Sequence, residues 1–107
     1  MSQRRIRIRA AAKRDLAERY ARFVREVGED VAERFLAQAE AAFLSLAETP
    51  GMGAETGLKG PRTKPLRKWK IGGFPDLRIF YLPTRGGVSI VRVLHAAQDV
   101  SSILTPG

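Results

Sequence analysis

Three short runs of apolar and β-branched residues follow one another in the last third of the chain. They occupy residues 66–71, 77–82 and 88–95, and glycine- and proline-rich stretches at 72–76 and 83–87 separate them. Residues of these types favour strands, and connections this short join neighbouring antiparallel strands. The pattern therefore predicts a three-stranded antiparallel meander.

The first half of the chain predicts one strand and two helices. Isoleucine and arginine alternate over residues 5–9, which is typical of a short strand with one buried face. Its partner strand must come from far along the sequence. Apolar residues then recur at three- and four-residue spacing over residues 11–27 and 31–46, as they do on helices that bury one face. These positions are Leu16, Tyr20, Phe23, Val24 and Val27 on the first helix and Val31, Phe35, Ala39, Ala42, Phe43 and Leu46 on the second.

Several residues mark where these helices begin and end. Gly28 is expected to end the first helix in the left-handed conformation. Asp30 and Glu33 have the spacing of a capping box at the start of the second helix, and a connection of two or three residues makes the two helices an antiparallel hairpin. Pro50 ends the second helix, and the glycine- and proline-rich residues 51–65 predict an exposed loop.

Together these elements predict an α+β fold. An N-terminal strand precedes the helical hairpin, the meander packs on the helices, and residues 101–104 form a short C-terminal turn or helix. With 107 residues, 44% of them hydrophobic, the chain has the size and composition of one globular domain, so we expect residues 1–107 to form a single domain. Which face of the last strand meets the helices stays open. Strict alternation puts Val88, Ile90 and Leu94 on one face and Val91 and Val93 on the other.

The net charge indicates the kind of partner. The chain has 19 lysines and arginines against 11 acidic residues, a net charge of +8, which attracts polyanions or an acidic protein. Six basic residues follow one another with no acid between them: Lys59, Arg62, Lys64, Arg67, Lys68 and Lys70. A solvated strand face explains this run as well as an interface does, so direct binding of nucleic acid stays open.

Composition also excludes some classes of site. The chain has no cysteine and only one histidine, so we expect neither disulfides nor a metal site, and no motif indicates a cofactor. The basic N-terminus lacks the apolar segment of a signal peptide, and no run is apolar enough to span a membrane. These features predict a cytoplasmic protein.

The order and spacing of the elements resemble those of a known family. The chain resembles the RelE/ParE toxin superfamily of bacterial type II toxin–antitoxin systems, and most closely its ParE-like branch. The residues that carry the resemblance are Ala12, Asp15, Leu16, Tyr20, Ala32, Phe35, Pro50, Gly53, Leu66, Arg67, Trp69, Ile79, Tyr81, Val88, Ile90, Arg92, Val93, Leu94, His95 and Asp99. The chain departs from many relatives at Gln98, where they have arginine.

The superfamily includes ribosome-dependent mRNA endoribonucleases, which is one function that the resemblance implies. Cleavage at a ribose 2′-hydroxyl needs cations at the phosphate and groups that move protons. The candidates for these roles are Arg67, Arg78, Tyr81, Arg92 and His95. The nuclease branch typically has a further acid or base, often tyrosine, near its C-terminus, and residues 101–107 contain none. An enzyme is therefore the less favoured interpretation.

The ParE-like branch implies a different mode of action. Its members poison DNA gyrase by binding, which arrests growth, and a cognate ParD-like antitoxin neutralises them; such systems stabilise plasmids. The resemblance implies an antitoxin surface at Leu16, Tyr20, Phe23, Arg67 and Trp69 and a target surface at Arg92, His95, Ile103 and Leu104. No catalytic residue and no cofactor is implied. A module that binds an antitoxin but has lost toxicity is a third possibility.

Each of these residues also has a structural interpretation. An arginine among apolar strand residues needs a partner, so we expect Arg92 to pair with Asp15 or Asp99. His95 is expected to tie the sheet to Asp99, and Trp69 to lie in the core. The dipole of the first helix accounts for Asp15 without any function.

Overall fold

A five-stranded sheet with a helical hairpin on one face forms the part of the chain that the computed structural model describes, residues 5–60 and 64–104. The strands are β1 (Arg5–Ile8), β2 (Ala54–Lys59), β3 (Pro65–Ile71), β4 (Phe74–Thr84) and β5 (Gly87–His95). The helices are α1 (Ala10–Glu26), α2 (Glu29–Glu48) and α3 (Val100–Leu104), with a 3₁₀ turn at Pro50–Met52. The predicted α+β arrangement is confirmed.

The strand order is β1-β5-β4-β3-β2, in which β1 runs parallel to β5 and the other neighbours are antiparallel. The predicted meander is therefore present as β3, β4 and β5. The distant partner expected for the first strand is β5, whose Ile90 pairs with Ile8. Because β1 and β2 lie at opposite edges, the hairpin carries the chain across one whole face of the sheet.

The predicted loop over residues 51–65 was wrong over residues 54–59, which form β2. Ala54 and Glu55 pair with Lys68 and Arg67, so this segment adds a fourth antiparallel strand, and residues 61–63 lie outside the described residues. The pairing is irregular between Glu55 and Lys59. Thr56 and Leu58 are partly buried and alternate with exposed residues, but glycines at 57 and 60 favour a loop in the sequence.

Two predictions concern the hairpin turn: Gly28 as the end of α1, and Asp30 with Glu33 as a capping box. Gly28 has a φ of 108°, in the region that favours glycine, and its N–H donates to the Phe23 carbonyl oxygen at 2.8 Å, which ends α1 as predicted. The capping box was wrong. Gly28 is also the residue before α2, and Glu29 and Asp30 lie in the first helical turn without a capping hydrogen bond, where their charges favour the positive end of the helix.

The face of β5 that meets the helices is decided by a bulge. Tyr81 pairs with Ile90 and Phe80 pairs with Arg92, so Val91 is an extra residue in the ladder. Alternation changes phase there. Val88, Ile90 and Val93 join the core under the hairpin with Phe35, Leu46, Ile79 and Tyr81, whereas Val91 and Leu94 join a smaller cluster on the other face with Leu66, Phe80, Leu82 and Leu104.

Asp15 joins α1 to the part of β5 that extends beyond its pairing with β1 and is paired only with β4. Pairing with β1 ends at Ile90, whose carbonyl oxygen accepts from the Arg9 N–H at 3.0 Å. Beyond that point the Asp15 carboxylate accepts three hydrogen bonds, from Arg92 Nε at 2.7 Å, Arg92 Nη2 at 2.8 Å and the Val93 N–H at 2.9 Å. This is one of the two pairings expected for Arg92, and Asp99 is not its partner.

The Asp15–Arg92 pair is largely withdrawn from water, since the Asp15 side chain is 10% exposed and the Arg92 side chain 25%. The hydrogen bonds to Asp15 raise the pKa of the Arg92 guanidinium above its ordinary value. Asp15 lies beyond the first turn of α1, so the helix dipole does not account for it. Its role is to attach the hairpin to the sheet.

Gly87→Ala is expected to destabilise the fold, because Gly87 pairs with Arg5 and an added Cβ would overlap the Arg5 carbonyl. Neither backbone can move aside as a flexible side chain would. We expect a loss of about 2–3 kcal/mol in the free energy of unfolding in urea. Gly51→Ala is the control, because nothing lies within 4 Å of its added Cβ. Equal losses in both variants would contradict the register of β1 on β5.

A double-mutant cycle on Asp15→Ala and Arg92→Ala measures the attachment of the hairpin. Each single change strands a partly buried charge, so we expect each to cost about 2–4 kcal/mol. Asp15→Ala is expected to cost more, because it also leaves the Val93 N–H without an acceptor. The double variant should lose less free energy of unfolding than the two single variants added together, by at least about 1 kcal/mol. Strictly additive losses would show that the pair contributes nothing as a pair.

Candidate interaction site

The Tyr81 hydroxyl holds the end of α2 against the sheet. Tyr81 is fully buried; its Oη donates to the Pro50 carbonyl oxygen at 2.7 Å and accepts from the Gly53 N–H at 2.9 Å. Burial raises the pKa of Tyr81. A Cβ on Gly53 would lie 2.5 Å from Tyr81 Oη and 2.6 Å from the Lys68 carbonyl oxygen, so only glycine allows this close approach. Packing against Tyr81 therefore explains why proline and glycine stand at positions 50 and 53.

Arg67 is engaged at the same place. It pairs with Tyr81 across β3 and β4, and its Nη1 donates to the Gly53 carbonyl oxygen at 2.5 Å and the Gly51 carbonyl oxygen at 3.2 Å. Its Nη2 lies 3.6 Å from the Glu55 carboxylate. The fold therefore brings Arg67 and Tyr81 together, and both hold the chain between α2 and β2.

His95 and Arg78 bind neighbouring backbone. His95 Nδ1 accepts from the Ala97 N–H at 3.0 Å, so the expected tie between His95 and Asp99 was wrong. The ring reaches the nearer turn N–H instead. Gln98, where many relatives have arginine, accepts the His95 N–H at 2.7 Å through Oε1. Arg78 Nη1 donates to the carbonyl oxygens of Pro75 and Leu77.

Asp99 directly precedes α3 and caps its first turn. Its carboxylate accepts from the Ser102 hydroxyl at 2.7 Å and from the Ser102 N–H at 3.3 Å, and these bonds lower the pKa of Asp99. Leu104 is buried and Ile103 partly buried against the sheet face opposite the hairpin. Of the predicted target residues, Arg92 contacts α1 while Leu104 packs on this other face, so the fold does not gather them into one patch.

The predicted antitoxin residues on α1 are partly exposed. Leu16 and Phe23 pack against the core under the hairpin, and the ring centroid of Phe23 lies 5.3 Å from that of Phe35 and 5.4 Å from that of Phe74. A hydrogen bond to the Glu33 carboxylate raises the pKa of Tyr20. These side chains contribute to the core and still present an edge to solvent.

Trp69 on β3 is only partly buried, so its expected place in the core was half right. It packs at the margin of the core under the hairpin, and Lys70 Nζ lies 5.9 Å from its ring centroid. Lys59, Lys64, Lys68 and Lys70 are exposed, and Arg62 of the basic run lies outside the described residues. The sheet edge formed by β2 and β3 is therefore cationic where it is described.

Sequence reasoning missed an apolar surface on the hairpin. Among the described residues the exposed large apolar side chains are Val27 at 58%, Leu36 at 37% and Leu44 at 55%. Leu36 and Leu44 lie two turns apart on α2, Leu36 at the margin of the buried stripe and Leu44 outside it. The position of Leu44 off that stripe was the available signal, whereas the spacing of Leu36 from Ala32 and Phe43 gave none.

Two absences hold for residues 5–60 and 64–104. No group of three or more histidine or acidic side chains lies close enough together to hold a metal ion. No helix in this part of the chain is long and apolar enough to cross a membrane.

Comparison with known proteins agrees with this fold. The family model described as the ParE toxin of the type II toxin–antitoxin system, parDE, matches residues 6–100. No curated protein matches the chain. A solved structure titled as the chromosomal ParDE toxin–antitoxin system from P. aeruginosa is similar, with a TM-score of 0.65 at 16% identity over 84% of this chain and 92% of that one. Since the family model spans nearly all of the described residues, the chain belongs to the ParE toxin family of type II toxin–antitoxin systems.

Proposed function

We propose that this toxin acts by binding DNA gyrase and that a cognate ParD-like antitoxin neutralises it. The observation that carries the proposal is that the five side chains an mRNA-cleaving site would use already bind other groups of the fold, although the Nε2–H of His95 is left without an acceptor among the described residues. Arg67, Arg78 and Tyr81 bind backbone groups, Arg92 binds Asp15, and His95 binds the Ala97 N–H. Support for gyrase as the target comes from the ParE-like resemblance of the sequence.

The requirements of general acid–base catalysis also disfavour a nuclease. A nuclease must aim cations and a proton donor at one phosphate. Tyr81 is fully buried with its proton in a hydrogen bond to Pro50, and the raised pKa of Tyr81 opposes its use as a base. Arg92 would have to leave Asp15 before it could reach a phosphate. Binding requires none of these rearrangements.

The proposed target surface uses the C-terminal residues in a way that needs no catalysis. Ile103 is partly exposed on α3, and His95 stands at the end of β5 just before the turn into that helix. Leu104 packs α3 onto the sheet, whereas Arg92 binds Asp15 on the side of the hairpin. We place the gyrase contact on the exposed parts of α3 and of the turn before it.

The proposed antitoxin surface combines apolar and cationic parts. The partly exposed Leu16, Tyr20 and Phe23 and the exposed Leu36 and Leu44 offer apolar anchors on the hairpin. Arg67 and Trp69 extend the surface onto β3. A net charge of +8 favours an acidic partner, because opposite charges speed encounter.

The target is tested with the purified chain and DNA gyrase. We expect supercoiling to be inhibited and transcripts on the ribosome to stay uncut, with growth arrest on induced expression. Ile103→Asp should weaken inhibition by about tenfold or more, because it puts a charge in an apolar contact. Ser101→Asp, an exposed change on the same helix, should not.

Two outcomes would contradict the gyrase proposal. Cleaved mRNA that disappears in Arg67→Ala or His95→Ala would assign the chain to the endoribonuclease branch. Normal supercoiling and normal growth at every expression level would instead indicate a module that binds an antitoxin and has lost toxicity.

The antitoxin surface is tested with the protein encoded by the neighbouring reading frame. Its co-expression should relieve growth arrest, and Leu44→Glu should weaken the complex by about tenfold or more, since an uncompensated charge would replace an apolar contact. Ser45→Glu adds the same charge at the adjacent exposed position and should keep the affinity. Equal affinities of both variants for the antitoxin would remove α2 from the interface.

A further inference from the structure

A cleft of about 560 Å³ lies between α1 and the end of β5. A second cleft, of about 280 Å³, adjoins it at the turn between β3 and β4. Arg19, Arg22 and His95 line both, so the two form one continuous depression that we call the Arg19 cleft. Asp15 and Val93, which join the hairpin to the sheet, form part of its wall.

Arg19 stands at the junction, where the charges of Glu26 and Asp15 act on it without forming an ion pair among residues 5–60 and 64–104. In the part of the chain that the structure describes, its guanidinium makes no hydrogen bond and no ion pair, unlike Arg22, whose Nε lies 3.1 Å from the Glu26 carboxylate. Its carbon Cζ lies 5.9 Å from the Phe23 ring centroid, which keeps the group over an aromatic face. Desolvation, and then the neighbouring charge of Arg22, lower the pKa of Arg19.

His95 adds a donor to the same cleft. Since its Nδ1 accepts the Ala97 N–H, the neutral ring carries its proton on Nε2. That N–H has no acceptor within residues 5–60 and 64–104. A planar guanidinium and an imidazole N–H that line one depression are the donors by which proteins bind a carboxylate or a phosphate.

The other residues that line the cleft favour a single carboxylate over the phosphates of a nucleic acid. Glu18 and Asp15 border the larger cleft, and Glu26 and Asp76 border the smaller. A nucleic acid brings a row of phosphates, and its neighbouring phosphates would meet these carboxylates. A peptide carboxylate at Arg19 brings one charge and so meets less of this repulsion. Phe23, Phe74 and Leu77 form an apolar wall of the smaller cleft beside Arg19, which suits an aliphatic or aromatic side chain.

We propose that the Arg19 cleft binds a peptide segment of a partner protein, with one carboxylate on Arg19 and His95 and the next apolar side chain against Phe23 and Phe74. The inference goes beyond the proposed function, because it concerns the ligand chemistry of one cleft and holds whichever protein supplies the segment. It also gives Arg19 a direct ion pair, which the described residues do not supply.

The probe is N-acetyl-glutamyl-leucinamide, titrated into the isotope-labelled full chain and followed by NMR. We expect saturable shifts at the Arg19 Nε–H, the Phe23 ring and the His95 ring, with a dissociation constant on the order of millimolar. N-acetyl-glutaminyl-leucinamide should bind roughly tenfold more weakly, because it lacks the charge. Both ligands are compared on the unaltered protein, so this comparison does not depend on a variant that folds.

Arg19→Gln should lose roughly tenfold in affinity for the glutamyl probe, while Arg14→Gln, an exposed change on α1 outside the cleft, should not. Equal binding of the two probes, or no shifts at the cleft at about 10 mM, would overturn the proposal. Oligothymidylate that shifts the same signals, with no effect of the glutamyl probe, would overturn it in favour of nucleic acid. Loss of supercoiling inhibition or of antitoxin binding is measured separately and bears on the proposed function alone.

Discussion

The attachment of the helical hairpin to the sheet depends on one carboxylate. Strand β1 protects the edge of β5 only as far as Ile90, and beyond it the backbone of β5 would face the hairpin with an unpaired N–H. Asp15 accepts that N–H and both near nitrogens of Arg92. A buried charge pair is stabilising only when each group is fully hydrogen-bonded, and here the backbone supplies the third bond. The core under the hairpin is therefore built around a fixed position of α1.

The other end of the hairpin has an independent anchor. Tyr81 and Arg67 bind the backbone from Pro50 to Gly53 and hold the exit of α2 over the sheet. The residues that most resemble a catalytic set thus hold both ends of one structural unit. Their spacing in the sequence reflects the packing of the hairpin, so packing alone accounts for this part of the sequence pattern.

The sequence predicted most of the fold because most of it follows from local periodicity. Both helices bury one face and the meander strands are rich in apolar residues, and the sequence records both directly. Strand β2 was missed since it has few apolar residues and contains Gly57. The phase change in β5 was missed because nothing in the sequence around Val91 marks a bulge.

The candidate site was less predictable, for a physical reason. The need of Arg92 for a partner could be read from its apolar neighbours, but the choice between Asp15 and Asp99 depends on how α1 crosses the sheet. His95 was assigned to Asp99 by proximity in sequence, and the turn placed the Ala97 N–H closer. Leu36 and Leu44 are exposed because no other element packs over them, and the packing of the elements is known only from the three-dimensional structure.

The parallel pairing of β1 with β5 also constrains when the toxin can mature. Arg5 pairs with Gly87 and Ile8 with Ile90, so the first strand made by the ribosome waits for the last one. Contacts this distant in sequence form late, and chains emerge from the N-terminus onward. The sheet therefore closes only once nearly the whole chain has left the exit tunnel, and a copy truncated before Gly87 lacks the partner strand of β1.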